Sequence, residues 1–117
     1  MGIGFLLNGK PVTSTARPTT RMSDVLRGDF GLTGTKVGCN AGDCGSCTIL
    51  LDDEPVCSCL VALGQVDGQS VTSVEGLHES AVIEKLQQSF LAHGAAQCGI
   101  CTPGMLVSAA HLLKINP

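Results

Sequence analysis

Gly38-Cys-Asn-Ala-Gly-Asp-Cys-Gly-Ser-Cys47 places Cys39, Cys44 and Cys47 at C-x4-C-x2-C spacing, with Gly38, Gly42 and Gly45 interleaved. Thiolates so close in sequence converge only if the chain between them is a tight loop. Glycines let such a loop take positive φ angles and approach its own sulfurs where a side chain would clash. The spacing is that of the loop that holds a 2Fe-2S cluster, a compact anionic core that needs four thiolates and gains negative charge on reduction. Backbone N–H groups of a glycine-rich loop supply the donors such a core requires without adding bulk. The chemistry implied is one-electron transfer.

The fourth thiolate must come from another segment, and Cys57 and Cys59 lie a short hairpin downstream. Read as one strand, Val56 to Leu60 puts both side chains on the same face, so alternation does not choose between them. A second group, Cys98 and Cys101 in Gln97-Cys-Gly-Ile-Cys-Thr-Pro103, raises the question of a second cluster. Taken alone this C-x-x-C also suits a redox dithiol or a structural pair. Structural zinc would take four thiolates as well, but zinc knuckles offer paired short spacings in place of C-x4-C-x2-C. His78, His93 and His111 have no metal-like spacing to any cysteine group and read as helix-surface residues.

Composition excludes several classes. The chain has 117 residues, enough for a modest core. Its seven cysteines are an odd number grouped by metal-like spacing, which argues against a disulfide framework. Phe5-Leu-Leu7 is too short for the apolar part of a signal peptide, and no apolar run is long enough to cross a bilayer. A cytoplasmic protein in a reducing compartment is expected. A net charge of −3, with neither Trp nor Tyr, makes nucleic acid an unsuitable partner. Asp52-Asp-Glu54 reads as a solvated turn rather than an acidic docking patch.

Two parts follow from the hydrophobic patterning. Ile3, Phe5 and Leu7 alternate before Asn8-Gly9, a strong hairpin signal, and Val12 lies on the return strand. Met22, Val25 and Leu26 have helical spacing in a short helix expected to stop at Gly28. Thr48 to Leu51 and Val56 to Leu60 read as a second hairpin, and Val71 to Val74 as a further strand. A mixed sheet crossed by one helix, with a metal loop at its edge, is a ferredoxin-type β-grasp. From about residue 77 the period becomes helical. Val82, Ile83, Leu86 and Phe90 share one face, with a stop at Gly94. Thr102-Pro103 serves as N-cap and first turn of a helix whose apolar stripe is Met105, Leu106, Ala109, Leu112 and Leu113. Cys98 and Cys101 then sit between two helices, at the positive end of the second, where a thiolate is stabilised.

In this order the motifs resemble the iron-sulfur small subunit or domains of the molybdenum hydroxylases, the xanthine dehydrogenase and aldehyde oxidoreductase family. The residues that carry the resemblance are Gly31-Leu-Thr-Gly-Thr-Lys36, the Gly38–Cys47 loop, Val74-Glu-Gly76 and Gln97-Cys-Gly-Ile-Cys-Thr-Pro-Gly-Met105. The resemblance implies an α+β chain, with a plant-ferredoxin-like β-grasp domain over residues 1–76. Residues 77–117 would be the N-terminal half of an all-helical 2Fe-2S bundle domain. It implies a first cluster on Cys39, Cys44, Cys47 and Cys59, with Cys57 at a non-ligand position, and Gly42 and Gly45 lining the cluster. A second cluster would rest on Cys98, Cys101 and a later Cys-x-Cys pair absent from these residues, so a fragment of a longer protein is expected. Gln97 resembles the glutamine that touches the pterin. Molybdopterin and FAD would belong to partners, a molybdenum-pterin subunit and a flavin subunit, in a hetero-oligomer that oxidises aldehydes, purines or other N-heteroaromatics. This chain would conduct electrons and touch no substrate. The alternative is a free-standing ferredoxin with the first cluster alone, which has no use for the Gln97–Pro103 motif.

Overall fold

A computed structural model of the chain describes residues 2–77, 81–94 and 99–115. Five strands form one mixed sheet in the order β2-β1-β5-β3-β4. They are β1 (Ile3–Leu7), β2 (Lys10–Ser14), β3 (Thr48–Leu51), β4 (Glu54–Cys57) and β5 (Ser70–Thr72). β1 and β5 run parallel, and the other pairs are antiparallel. Both hairpins turn on two residues with positive φ, Asn8 and Gly9 in the first and Asp52 and Asp53 in the second. Such turns match the right-handed twist of the strands they join. Pro11 and Pro55 lie on the two edge strands, the places in a sheet where a missing N–H costs least.

One sheet face is covered by α1 (Met22–Asp24) and by 3₁₀ turns at Ser58–Leu60 and Leu63–Val66. Met22, Val25, Leu26, Leu63 and Val66 pack there against Phe5, Leu7, Ile49 and Val71. The helix does not stop at Gly28 as its spacing suggests. It widens into a π-helical stretch, Val25–Asp29, with the Phe30 N–H donating to the Val25 carbonyl at 3.3 Å. The wider turn keeps Val25 and Leu26 on the sheet and brings Phe30 edge-on to Phe5, with ring centroids 6.0 Å apart.

Helices α2 (Ala81–Ala92) and α3 (Thr102–Ile115) follow, and α3 packs on the opposite face of β3. That double cover explains why Thr48, Ile49 and Leu50 are all buried instead of alternating. Ile83 is buried, and Leu86 and Phe90 are half-buried, as the pattern predicts for these three, while the Val82 side chain lies outside the described residues; Gly94 follows the helix end at φ +62. The stripe expected of α3 is corrected in part: Leu106 is buried and Ala109 half-buried as expected, but Gly104 and Val107 are buried as well, while Met105, Leu112 and Leu113 are exposed. The reason is close approach, because Gly104 has no side chain and lets the first turn of α3 lie on the backbone of Gly45. Leu106 and Val107, in the same turns, are buried beside that contact.

Two further expectations shift. The β4 strand ends at Cys57, and Val74 opens a 3₁₀ turn (Val74–Leu77) instead of ending β5. The latter turn is tied down from both sides. Asn8 and Ser73 exchange two hydrogen bonds of 3.0 and 2.9 Å, and the Glu75 carboxylate accepts the Gly34 N–H at 2.7 Å.

Candidate metal centre

The cysteine loop is held at its neck before any metal is considered. The Lys36 N–H donates to the Ser46 carbonyl at 3.3 Å, and the Ser46 hydroxyl donates back to the Lys36 carbonyl at 3.3 Å. Arg27 binds the carbonyls of Thr33 and Thr35, both at 2.9 Å, and Arg21 binds that of Asn40 at 3.0 Å. Asn40, Gly42 and Gly45 all have positive φ, so the backbone curls inward and turns its amides toward the loop centre. The N–H groups of Ala41, Asp43 and Cys44 converge on Cys39 Sγ at 3.4, 3.2 and 3.3 Å. Three donors on one sulfur form a cradle for a thiolate, since a neutral thiol is a weak acceptor.

The remaining sulfurs differ in setting. The Cys44 thiol is lowered to about 6, first by the Ser46 hydroxyl 3.1 Å from its sulfur, then by the Ser46 N–H and by Cys39. Cys47 and Cys59 are each only 2% exposed, and the Cys59 N–H donates to Cys47 Sγ at 3.4 Å. Burial, then the neighbouring Cys47, pushes the Cys59 thiol up to about 11, although a Gly42 N–H works in the opposite direction. Burial and Cys47 likewise raise Cys57. Cys57 and Cys59 do not share a strand face, because the chain leaves β4 at Cys57 and Cys59 sits in the 3₁₀ turn that follows. The two sulfurs meet opposite ends of one residue. The Cys57 thiol points at the Gly42 carbonyl, 3.8 Å away, whereas Cys59 meets the Gly42 amide. Leu60, 63% exposed, caps the outside of Gly42 so closely that a Cβ there would strike it.

Of the second group only Cys101 can be placed. Gln97 and Cys98 lie outside the described residues. Cys101 is exposed at the start of α3, and its carbonyl accepts the Met105 N–H at 3.1 Å, so Cys101 takes the capping position expected of Thr102. It shares a cleft of about 400 Å³ with Cys44, Gly45, Thr48 and Phe90. One cysteine of each group, Cys44 and Cys101, therefore faces the same space. The six described cysteines are free of disulfides. Among the described residues, no three His, Cys, Asp or Glu side chains gather around one point as ligands of a single ion would. A two-iron core asks for a different arrangement, with thiolates spread along its rim. Two exposed and two buried sulfurs around amides aimed inward fit that demand.

Comparison with known proteins agrees with this geometry. Residues 5–70 match the 2Fe-2S iron-sulfur cluster binding domain family, and residues 73–117 match a second, [2Fe-2S] binding domain family. The small FeS subunit of nicotinate dehydrogenase from Eubacterium barkeri is 44% identical over 98% of this chain and 73% of its own length. A probable xanthine dehydrogenase subunit from Bacillus subtilis is 43% identical over 95% of this chain. The crystal structure of quinoline 2-oxidoreductase from Pseudomonas putida 86 superposes with a TM-score of 0.90, at 46% identity over 100% of this chain and 72% of that one. This chain belongs to the iron-sulfur subunits of the molybdenum hydroxylases. The match spans 64% of the Bacillus relative's length. No helix among the described residues of this iron-sulfur subunit is long and apolar enough to cross a membrane.

Sequence reasoning quoted Lys36, Ser46 and Glu75 only as parts of motifs, gave them no role, and gave none to Arg21 and Arg27. Arg21, Arg27 and Lys36 bind carbonyls of the loop and its approach, Glu75 reaches back to Gly34, and Ser46 touches a cysteine sulfur. None of these contacts has a local spacing signal. Only Gly38 hinted at one, since a Cβ there would come within 2.9 Å of Cys44 Sγ and 3.2 Å of Ser46 Oγ.

Proposed function

We propose that this chain is the electron-conducting subunit of a molybdenum hydroxylase, placed between a molybdenum-pterin centre and a flavin or other acceptor on partner subunits. Residues 1–76 form the ferredoxin-like unit and residues 77–117 the start of the helical one. Cys39, Cys44, Cys47 and Cys59 hold the first 2Fe-2S cluster. Cys98 and Cys101 supply two thiolates of a second, together with two cysteines that are not among these residues. A bound 2Fe-2S cluster supplies the uptake and release of one electron at a time. The chain's own part is to hold the sulfurs, cover them from water and set the local charge. Gln97 faces the pterin in this reading, and Gly42 and Gly45 let the backbone close over the first cluster. The complex is cytoplasmic and hetero-oligomeric in this reading. Its substrates are aldehydes, purines or other N-heteroaromatics, and they bind elsewhere in the complex.

The observation that carries this reading is the convergence of three backbone amides on Cys39 in a loop whose Cys44 lines a cleft with Cys101. The choice of Cys59 over Cys57 rests on Gly42. A sulfur facing an amide N–H suits a thiolate ligand, whereas a sulfur facing a carbonyl must keep its proton. The test is rapid freeze-quench EPR of the purified complex mixed with an aldehyde or N-heteroaromatic substrate. Both cluster signals should appear within the turnover time. Clusters that stay oxidised while product forms would contradict the proposal.

A further inference from the structure

Around the first cluster's cysteines nearly every donor is a backbone amide, and Ser46 is the exception. Its hydroxyl lies 3.1 Å from Cys44 Sγ and 3.3 Å from the Lys36 carbonyl. It has one proton and two acceptors within reach. The residue is 1% exposed, so no water competes for either bond. Gly38 leaves the space in which hydroxyl and sulfur meet. The Lys36 N–H, donating to the Ser46 carbonyl, fixes the backbone on which the hydroxyl stands.

We infer that Ser46 is a positioning residue that sets the potential of the first cluster, its O–H staying intact and turning from the Lys36 carbonyl to the Cys44 sulfur as the cluster gains an electron. A ligating Cys44 has no proton, so the hydroxyl must be the donor in that bond. Reduction adds negative charge to the thiolates and strengthens any hydrogen bond they accept, more so in a buried setting. The reduced form is therefore stabilised more than the oxidised form, and the potential rises. With the hydroxyl removed, the Lys36 carbonyl loses one donor and keeps its place in the neck, whereas the sulfur loses its side-chain donor outright.

The inference rests on Cys44 being a ligand of the first cluster. The experiment is an EPR-monitored redox titration of the intact complex carrying wild-type chain, Ser46→Ala or Ser46→Thr. Ser46→Ala should lower the midpoint potential of the first cluster and leave the second unchanged, while Ser46→Thr should stay near wild type. A full first-cluster signal with an unchanged potential in Ser46→Ala would overturn the inference and leave the ligand assignment standing. If the alanine chain does not assemble its cluster, Ser46→Thr and Ser46→Val, nearly equal in shape, make the same comparison, and equal potentials overturn it. Failure of the ligand assignment looks different: Cys44→Ser would keep a native first-cluster signal.

Discussion

Gly104→Ala tests the join between the two halves of the chain. Gly104 stands in the first turn of α3, and a Cβ there would run into the Gly45 carbonyl oxygen and lie 3.1 Å from both Gly45 C and Ser46 Cα. Ordinary carbon contacts are roughly 3.5–4.0 Å. The neighbour is backbone, pinned by the Thr48 N–H and hydroxyl on the Gly45 carbonyl at 3.1 and 2.6 Å. It cannot swing away as a side chain would, so α3 itself must move. Overpacking of this kind costs about 1–3 kcal/mol. Against it stands the better helix propensity of alanine, about 1 kcal/mol in a helix interior and less in a first turn. The net expectation is a loss of roughly 1–2 kcal/mol, or about 4–8 °C in Tm for a chain of this size. The assay is thermal denaturation of the cluster-loaded protein followed by circular dichroism. Ser89→Ala, on the exposed side of α2, serves as the propensity control and should be neutral or slightly stabilising. A Gly104→Ala melting point equal to or above wild type would refute the close-approach argument.

Three other outcomes are expected. Cys59→Ser should abolish the first cluster's visible and EPR spectrum while Cys57→Ser leaves it intact, and loss of the cluster in Cys57→Ser alone would reverse the ligand choice. Gly42→Ala combines a φ of +79 with a collision against Leu60, and should lower the iron and labile sulfide retained per chain; full retention would show that the loop tolerates a β-carbon there. In metal-free chain, iodoacetamide followed by peptide mapping should label Cys44 at a nearly constant rate from pH 8 down to about 7 and at roughly half that rate near pH 6, because its thiol is lowered to about 6 and the thiolate dominates only above that value. Buried Cys59, pushed up to about 11, should stay protonated and unlabelled over the same range.

Much of the fold is legible in local chemistry. Asn8-Gly9 and Asp52-Asp53 turn where turn chemistry says they must, and Gly94 follows the end of α2. The sequence misleads where tertiary contact decides. Periodicity treats every apolar residue of α3 as equal, but Leu106 and Val107 near the Gly104 contact are buried while Met105, Leu112 and Leu113 are exposed. Strand propensity carries through Val56 to Leu60, yet the chain leaves the sheet at Cys57, as the Ser58 hydroxyl donates to the Cys47 carbonyl at 2.7 Å. That bond separates Cys57 from Cys59, and no spacing rule contains it. The cysteine groups stand out in sequence because their spacing is short. Ser46, Glu75 and the three cations that hold the loop do not, because their partners are carbonyls, amides and one sulfur reached only through folding.

Iron-sulfur chemistry at Cys39, Cys44, Cys47 and Cys59 is the claim on which every other functional statement depends. The direct measurement is EPR of the dithionite-reduced protein isolated from its own cells, with iron, zinc and acid-labile sulfide counted per chain. The expected result is a 2Fe-2S signal from the ferredoxin-like site, with equal iron and sulfide, and a second, distinct 2Fe-2S signal from the site that includes Cys98 and Cys101. Zinc without labile sulfide, and no signal on reduction, would contradict it.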